Sequence, residues 1–154
     1  MITTLLVDFA RVLVLPKDET IRSVNKLYKQ ALRNQEKFNQ HFYVNEELFE
    51  YLESIKDSFN MYLFTGSTDL LELPILKSRI DKLFRDVYIT KVMGMNKRNI
   101  EIYRLVLDRI KISPDEIMFI DDKARNIRIA RLAGLNTHHF TVNRTLIDEI
   151  NMLK

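Results

Sequence analysis

Apolar residues in this chain occur in two patterns, as short continuous runs and as runs at helical intervals. The continuous runs, which are typical of buried strands, lie in Ile2 to Val7, Asn60 to Phe64, Val87 to Ile89 and Ile117 to Ile120. The more polar segment Asn136 to Val142 is interpreted as a fifth strand. Helical segments separate these strands, and such alternation builds parallel sheets. The pattern therefore predicts an α/β fold, with a parallel sheet of about five strands covered by helices on both faces.

Apolar residues spaced three and four apart predict the helices between the strands. The predicted helices are Thr20 to Phe38, a helix N-capped by Asn45, Leu70 to Leu83 with an interruption at Pro74, Ile100 to Ile110, Ala124 to Ala133, and Thr145 to Leu153. Gly134 is expected to close the fifth of them as a left-handed cap. A strand over 136–142 places His138 and His139 on opposite faces, so we interpret both as structural residues.

Candidate chemistry begins where the run Ile117 to Ile120 stops at two adjacent carboxylates, Asp121 and Asp122. This position is the carboxyl edge of the predicted sheet, where open parallel sheets bind ligands. Two neighbouring acids repel each other unless a cation neutralises them, so the pair indicates an Mg²⁺ site built from oxygen ligands. The alternative is a plain strand end followed by an Asp-capped helix. The first strand also ends at an acid, Asp8.

Two further segments past strand ends carry groups that bind anions. The sequence Thr65-Gly66-Ser67-Thr68 follows a strand, and its free backbone N–H groups form a candidate oxyanion cradle, although Thr and Ser are equally ordinary helix caps. Lys97 lies at a helix start, where it opposes the helix dipole, and an ordinary surface position is the alternative. All these groups follow strand exits, so we expect them to converge at one edge of the sheet.

Composition narrows the class of protein. The chain has 154 residues with 46% hydrophobic content, which predicts a single globular domain over 1–154. We expect a cytoplasmic protein, because no run reaches the length of a membrane span and no signal peptide opens the sequence. The absence of Cys and the presence of only three His make a zinc site unfavourable, so a metal should be held by carboxylates.

The net charge of +3 is too small to indicate nucleic-acid binding, but it is unevenly distributed. Between Pro16 and Gln40, six basic residues stand against three acidic ones, a net charge of +3. Helical spacing gathers the basic residues opposite the apolar side as a basic stripe, defined here as Arg22, Lys26, Lys29, Arg33 and Lys37. This stripe is either a solvated outer face or a surface that attracts an anionic substrate.

Four motifs together resemble those of the haloacid dehalogenase-like hydrolases. The first is Leu-Leu-Val-Asp8-Phe-Ala-Arg-Val-Leu, the second Tyr-Leu-Phe-Thr65-Gly-Ser, the third Lys97, and the fourth Phe119-Ile-Asp121-Asp122-Lys-Ala-Arg-Asn126. The likeness covers nearly the whole chain. It implies a three-layer Rossmann-like α/β fold, of the branch with a cap between the first two motifs. Here the cap is a minimal helical insert at about 16–43.

The resemblance also implies phosphoryl transfer through an aspartyl-phosphate on Asp8. It implies Mg²⁺ held by Asp8, the backbone carbonyl of Ala10, Asp121 and Asp122, with Thr65 and Lys97 binding the phosphoryl oxygens. Gly66, Ser67 and Arg11 are the expected substrate-binding residues, and Asn126 is expected to steady the carboxylates beside the metal. A carboxylate approaching a phosphate dianion is repelled unless cations neutralise the charge, which agrees with these roles.

The chain departs from the family pattern at three places. Ala10 stands where the family has the Asp that protonates the leaving group, Arg11 replaces a Gly, and Arg98 replaces a Pro. A weak phosphatase acting on a small phosphorylated molecule, such as an acyl or aryl phosphate, is the first expectation. A catalytically degenerate domain that binds a phosphorylated ligand or partner is the second. Hydrolysis of a C–P bond, with Lys26 or Lys29 forming a Schiff base, is the third. The sequence indicates neither the substrate nor the oligomeric state.

Overall fold

Seven strands form two sheets in the computed structural model, which describes residues 1–66 and 69–153. The strands are β1 Thr4–Val7, β2 Val14–Pro16, β3 Phe42–Val44, β4 Asn60–Thr65, β5 Val87–Ile89, β6 Ile117–Asp121 and β7 Asn136–His139. Five of them pair in parallel in the order β5-β4-β1-β6-β7, whereas β2 and β3 form a small antiparallel ribbon. The predicted five-stranded parallel sheet is confirmed.

Helices connect the strands. They are α1 Val24–Arg33, α2 Phe38–His41, α3 Glu46–Ser54, α4 Pro74–Leu83, α5 Ile100–Ile110, α6 Ala124–Leu132 and α7 Asn143–Asn151, with a 3₁₀ turn at Pro114–Glu116. None of the helices in the described residues has the length and apolar composition needed to cross a bilayer. Two predicted caps are present, since the Asn45 side chain accepts a hydrogen bond from Leu48 N–H and Gly134 has a φ of +91°.

Alternate side chains of the central strands supply two separate hydrophobic clusters, as expected for a sheet buried on both faces. Leu5 and Val7 point to the side covered by α3, α4 and α7, whereas Leu6 points to the side covered by α5 and α6. Val24 of α1 and Phe42 of β3 belong to the first cluster. The three-layer α/β architecture is therefore confirmed, and α1 with the β2–β3 ribbon packs against the layer on one side of the sheet.

The helix predicted over Thr20 to Phe38 is wrong in its extent. Ser23 caps α1, because its side chain accepts a hydrogen bond from Lys26 N–H at 3.3 Å, and the helix ends at Asn34. Gln35 then takes a left-handed φ of +57°, which a continuous helix does not allow. Leu32, which was predicted to face inward, is 51% exposed. All five residues of the basic stripe are exposed to solvent, as expected if the stripe is a solvated outer face.

Two other boundaries differ from the sequence prediction. Pro74 begins α4 instead of interrupting a longer helix, because the first helical position needs no backbone N–H donor. The last strand ends at His139 rather than Val142, which is instead the extended N-cap residue of α7. The side chains of His138 and His139 do lie on opposite faces: His138 is buried and pairs with Glu149, and His139 is exposed.

Candidate active site at the carboxyl edge of the sheet

The sheet topology brings three sequence-predicted residues to neighbouring strand ends. Asp8 follows β1, Thr65 ends β4 and Asp121 ends β6, and β1 lies between the other two strands. The backbone N–H of Asp8 donates to the carbonyl of Ile120 at 2.8 Å, which continues the pairing of β1 with β6 up to the edge. The chain runs outward from β1 through β4 and β5 and returns to β6 on the other side. The site therefore occupies the topological switch point of the sheet.

Lys97 is buried at the centre of the site and joins two of the carboxylates. Its ammonium donates to Asp8 Oδ1 at 2.7 Å and to Asp121 Oδ2 at 2.9 Å. The same nitrogen lies 4.7 Å from the ring centroid of Phe64 and 5.3 Å from that of Phe119, so aromatic faces enclose it from the core side. An ordinary surface position for Lys97 is therefore excluded, since only 8% of its surface is exposed.

Asp121 is fixed by three hydrogen bonds from two donor groups in the segment that follows β6. Asn126 Nδ2 lies 3.0 Å from each carboxylate oxygen of Asp121, and the backbone N–H of Lys123 donates to Oδ1 at 2.8 Å. Asn126 is buried in the first turn and a half of α6, so the start of this helix sets the orientation of the carboxylate. Tyr103, which the sequence reasoning missed, donates its hydroxyl to the backbone carbonyls of Lys97 at 3.1 Å and of Asn126 at 3.3 Å.

Asp122 completes a group of three carboxylates that fits a metal ion. Oxygen atoms of Asp8, Asp121 and Asp122 all lie within 4.8 Å of one another. Asp122 Oδ1 is buried, and among the described residues it has no hydrogen-bond partner. A buried carboxylate oxygen without a partner is costly unless a cation occupies the space beside it. The donor set is all oxygen, as Mg²⁺ requires.

A cavity of about 370 Å³ opens above Asp8. Its lining residues are Asp8, Ala10, Arg22, Ser23, Asn25, Gly66, Thr90, Asn96, Lys97, Arg98, Lys123 and Asn126. A Cβ added to Gly66 would lie 3.7 Å from Asn25 Nδ2 and 3.9 Å from Thr90 Oγ1, so α1 closely faces the turn after β4. Thr65 is buried at the end of β4, and Ser67 lies outside the described residues.

Several lining residues were not singled out from the sequence. Thr90 directly follows β5, and the rule that strand exits share one edge could have identified it. Asn25 lies on α1, whose packing over the sheet edge no sequence signal indicated. Asn96 and Lys123 flank motif residues, but Asn and Lys are common on protein surfaces, so neither residue type alone indicates a functional site.

Arg11 and Ala10 are neighbours in sequence, but their side chains line different cavities. Arg11 has a left-handed φ of +64°, and its guanidinium donates to the backbone carbonyl of Ile21 and, at 3.2 Å, to that of Glu19. Its side chain lines a separate cavity of about 390 Å³ together with Asp122, and it is not among the residues that line the Asp8 cavity. Ala10 is half-buried beside Asp8 and does line it.

Comparison with known proteins places this geometry in a family. A sequence profile described as "Haloacid dehalogenase-like hydrolase" matches residues 8–140, which is most of the chain. The chain belongs to the haloacid dehalogenase-like hydrolases. The stretch that the family profile matches begins at the first edge carboxylate, Asp8, and includes Lys97 and the Asp121-Asp122 pair.

Solved structures of the haloacid dehalogenase-like family share the fold. A predicted family hydrolase from Porphyromonas gingivalis has 19% identity over 99% of this chain and 98% of that chain, with a TM-score of 0.74. A family enzyme from Bacteroides thetaiotaomicron, in complex with magnesium and inorganic phosphate, has 18% identity over 93% of this chain and 96% of that chain, with a TM-score of 0.68. No curated protein matches the sequence.

The buried charges of this haloacid dehalogenase-like site shift one another's proton affinities. Burial raises the pKa of Asp8 to about 7; Lys97 opposes the shift, and Asp121 and Asp122 add to it. Burial also raises the pKa of Asp122. Burial acts to lower the pKa of Lys97, but Asp8 and Asp121 outweigh it, so the pKa is raised and the ammonium stays charged. Without a metal ion, the single ammonium of Lys97 faces a group of three carboxylates.

Mg²⁺ affinity should therefore depend on pH. A proton on Asp8 competes with the metal, and with a pKa of about 7 this carboxyl is largely protonated at pH 6. We expect the affinity to rise with pH, by up to about tenfold per pH unit, until it levels off above pH ~7. Calorimetry at several pH values, in buffers with different ionisation enthalpies, measures both the affinity and the proton released. A constant affinity between pH 5.5 and 7.5, roughly the range of that titration, would contradict the prediction.

Asn126→Ala should weaken Mg²⁺ binding without unfolding the protein. The substitution removes the donor that holds both oxygens of Asp121, and loss of such a supporting partner typically costs about 10- to 100-fold in metal affinity. Calorimetric titration with Mg²⁺ measures the change, with Asn99→Ala on the exposed N-cap of α5 as the matched control. An unchanged affinity in Asn126→Ala would show that Asp121 is oriented without this side chain.

Proposed function

We propose that this chain is an Mg²⁺-dependent phosphatase that acts on a small phosphorylated molecule through an aspartyl-phosphate on Asp8. The observation that carries the proposal is the buried group in which Lys97 bridges Asp8 and Asp121, beside an Asp122 oxygen that has no hydrogen-bond partner within the described residues. A protein core does not need such a concentration of buried charge in order to fold. Ionisable groups with shifted pKa values cluster at functional sites. The family relationship supports a hydrolase, and the Bacteroides thetaiotaomicron enzyme of this fold was solved with magnesium and phosphate.

The residues of the site divide the reaction between them. Asp8 presents a carboxylate oxygen to the cavity and is the nucleophile. Lys97 keeps its positive charge and stabilises the negative charge that develops on the phosphoryl oxygens, helped by Thr65 and the backbone turn at Gly66. Mg²⁺ held by Asp8, Asp121, Asp122 and the Ala10 carbonyl would neutralise the phosphate as Asp8 approaches it.

The weak point of this site is departure of the leaving group. Ala10 has no proton to give, so an alkoxide would have to leave without general-acid help, which is typically worth about 10²–10⁴-fold in rate. A substrate whose leaving group is stable as an anion avoids this cost. We therefore expect turnover of aryl and acyl phosphates and very slow turnover of alkyl phosphates.

The proposal is tested by hydrolysis of nitrophenyl phosphate with and without Mg²⁺. We expect turnover that requires Mg²⁺ and disappears in Asp8→Asn, because an amide is a poor nucleophile and a poor metal ligand. Asp57→Asn, the same chemical change at an exposed residue before β4, is the matched control and should be fully active. Turnover that survives in Asp8→Asn would refute the proposal.

A second candidate is a domain that binds a phosphorylated ligand without turning it over. The observation that favours it is Ala10, which removes the acid while the anion-binding groups remain. Mg²⁺-dependent binding of inorganic phosphate by a protein without turnover of any substrate would identify this case. No observation favours hydrolysis of a C–P bond. Lys26 and Lys29 line a different cleft from the one above Asp8, and Lys29 Nζ forms an ion pair with Asp69 Oδ2 at 3.7 Å.

A further inference from the structure

The cavity above Asp8 is lined by three cationic side chains that have no ion-pair partner among the described residues, although the charge of Lys123 acts at longer range on Asp122. Arg22, Arg98 and Lys123 line it, and within the described part of the chain their side chains make no ion pair and no hydrogen bond. They come from three separate segments, before α1, before α5 and after β6. All three are exposed, whereas the fourth cation of the lining, Lys97, is buried and already bonded to Asp8 and Asp121.

Among the residues that the structure describes, this cavity has no carboxylic acid free to protonate a leaving group. Asp8 is the only carboxyl among the lining residues that the structure describes, and the proposed reaction uses it as the nucleophile. The remaining side chains are amides, hydroxyls, cations and Ala10. Without a carboxylic acid beside it, the leaving group that suits this cavity best is one that is stable as an anion, and the side-chain charges that face it are positive. Positive charges that line a cleft concentrate anions and stabilise charge that develops there.

We infer that the substrate is an anhydride of phosphoric acid, whose leaving group departs as a carboxylate or a phosphate into the field of Arg22, Arg98 and Lys123. The inference rests on the proposed function and specifies its substrate class. An acid anhydride satisfies both features of the cavity, because its leaving group needs no proton and carries a negative charge. An alkyl ester satisfies neither. An aryl ester also leaves as an anion, but its charge is spread over the ring, so the three cations stabilise it less.

The bond changes balance without any further reactant except water. A carboxylate oxygen of Asp8 attacks phosphorus, the bond from phosphorus to the bridging oxygen breaks, and its electron pair leaves with that oxygen as the free carboxylate or phosphate. Water then attacks the phosphorus of the aspartyl-phosphate. The bond between phosphorus and the Asp8 oxygen breaks, the electron pair returns to Asp8, and both protons of the water remain with the released inorganic phosphate.

Kinetics of matched variants test the inference. The values of kcat/KM are measured for acetyl phosphate, pyrophosphate and nitrophenyl phosphate with the wild-type protein, with Arg22→Gln, Arg98→Gln and Lys123→Gln, and with the triple variant. We expect each single change to lower the anhydride values about two- to fivefold, as exposed ion contacts do, and the triple change roughly 10- to 100-fold. Nitrophenyl phosphate should fall less than threefold or so, because its leaving group carries less localised charge.

Arg33→Gln is the control, since Arg33 belongs to the basic stripe but lines a different cleft. It should leave all three substrates unchanged. The two anhydrides distinguish a carboxylate from a phosphate as the leaving group, and the better one identifies which acid the cavity takes. Equal losses for nitrophenyl phosphate and the anhydrides would overturn the inference, because the cations would then only attract any phosphate.

A binding measurement separates this inference from the proposed function. In Asp8→Asn, which should not turn over, calorimetry compares pyrophosphate with inorganic phosphate without added Mg²⁺, because the amide at position 8 is a poor metal ligand. We expect tighter binding of pyrophosphate, and loss of that preference when Arg22, Arg98 and Lys123 are also replaced. No turnover by the wild-type protein combined with this preference would refute the phosphatase alone. Equal affinities for the two ligands would refute the substrate class, whatever the turnover.

Discussion

Lys97→Met should abolish phosphatase turnover and should destabilise the metal-free protein by roughly 3–5 kcal/mol. Lys97 is the only partner that the described structure gives to the Asp8 carboxylate through a side chain, and it also bonds Asp121. Met fills a similar volume between Phe64 and Phe119, so the loss comes from charge rather than from packing. Two buried carboxylates would be left without their cation. Thermal unfolding without Mg²⁺ and a turnover assay measure the two effects.

The size of this loss should depend on pH and on Mg²⁺. In Lys97→Met, a proton can replace the missing cation on Asp8, so the destabilisation should be smaller at pH 5 than at pH 8. Saturating Mg²⁺ should restore part of the stability in the same way. Lys56→Met, at an exposed position after α3, is the matched control and should change neither property. A loss that is independent of pH and of Mg²⁺ would indicate that Lys97 matters for packing alone.

Ala10→Asp should increase turnover of alkyl phosphates by about 10²–10⁴-fold, with a smaller gain for aryl phosphates. Ala10 lies beside Asp8 and lines the same cavity. A carboxyl at this position can therefore reach the leaving group and donate the proton that Ala10 does not supply. Alkyl esters gain most because their leaving groups need the proton most. The assay compares glycerol phosphate with nitrophenyl phosphate. Ala10→Asn is the control, because Asn has the shape of Asp but no acidic proton, and this variant should gain no activity.

Arg11 decides whether this single substitution is sufficient. If its guanidinium blocked the site, only Ala10→Asp combined with Arg11→Gly would gain activity. The guanidinium instead donates to the carbonyls of Glu19 and Ile21 and does not itself line the Asp8 cavity. We therefore expect Ala10→Asp alone to gain activity, and Arg11→Gly to loosen the segment before α1 even though Gly suits its left-handed backbone. Gain only in the double variant would contradict this account of Arg11.

The sequence predicted the elements whose signal is local. Strands β1, β4 and β6 are uninterrupted apolar runs that end at Asp8, Thr65 and Asp121, and parallel topology alone brings such ends to one edge. The bond from Lys97 to Asp8 joins residues 89 positions apart, and no spacing in the sequence indicates it. The family resemblance implied a role for Lys97 in phosphate binding but not this contact. The position of Lys97 at a helix start, where it opposes the helix dipole, was unusual but did not indicate which groups Lys97 contacts.

Other features depend on tertiary contacts and left no trace in the sequence. The helix over Thr20 to Phe38 was predicted as one element because its apolar spacing continues past Asn34, where the backbone breaks. The approach of Asn25 to Gly66 depends on how α1 packs over the sheet. The direction of the Arg11 side chain depends on carbonyls about ten residues further along the chain. Periodicity describes which face of an element is apolar, but it does not describe what that face meets.

The proposed reaction requires Asp8 to carry the phosphoryl group during turnover. The most direct test mixes the protein with radiolabelled acetyl phosphate and Mg²⁺, quenches the reaction with acid at short times, and maps the label to peptides. We predict label on the peptide that contains Asp8 before inorganic phosphate is released, and no label in Asp8→Asn. Turnover without label on that peptide, or equal labelling of Asp8→Asn, would contradict the claim.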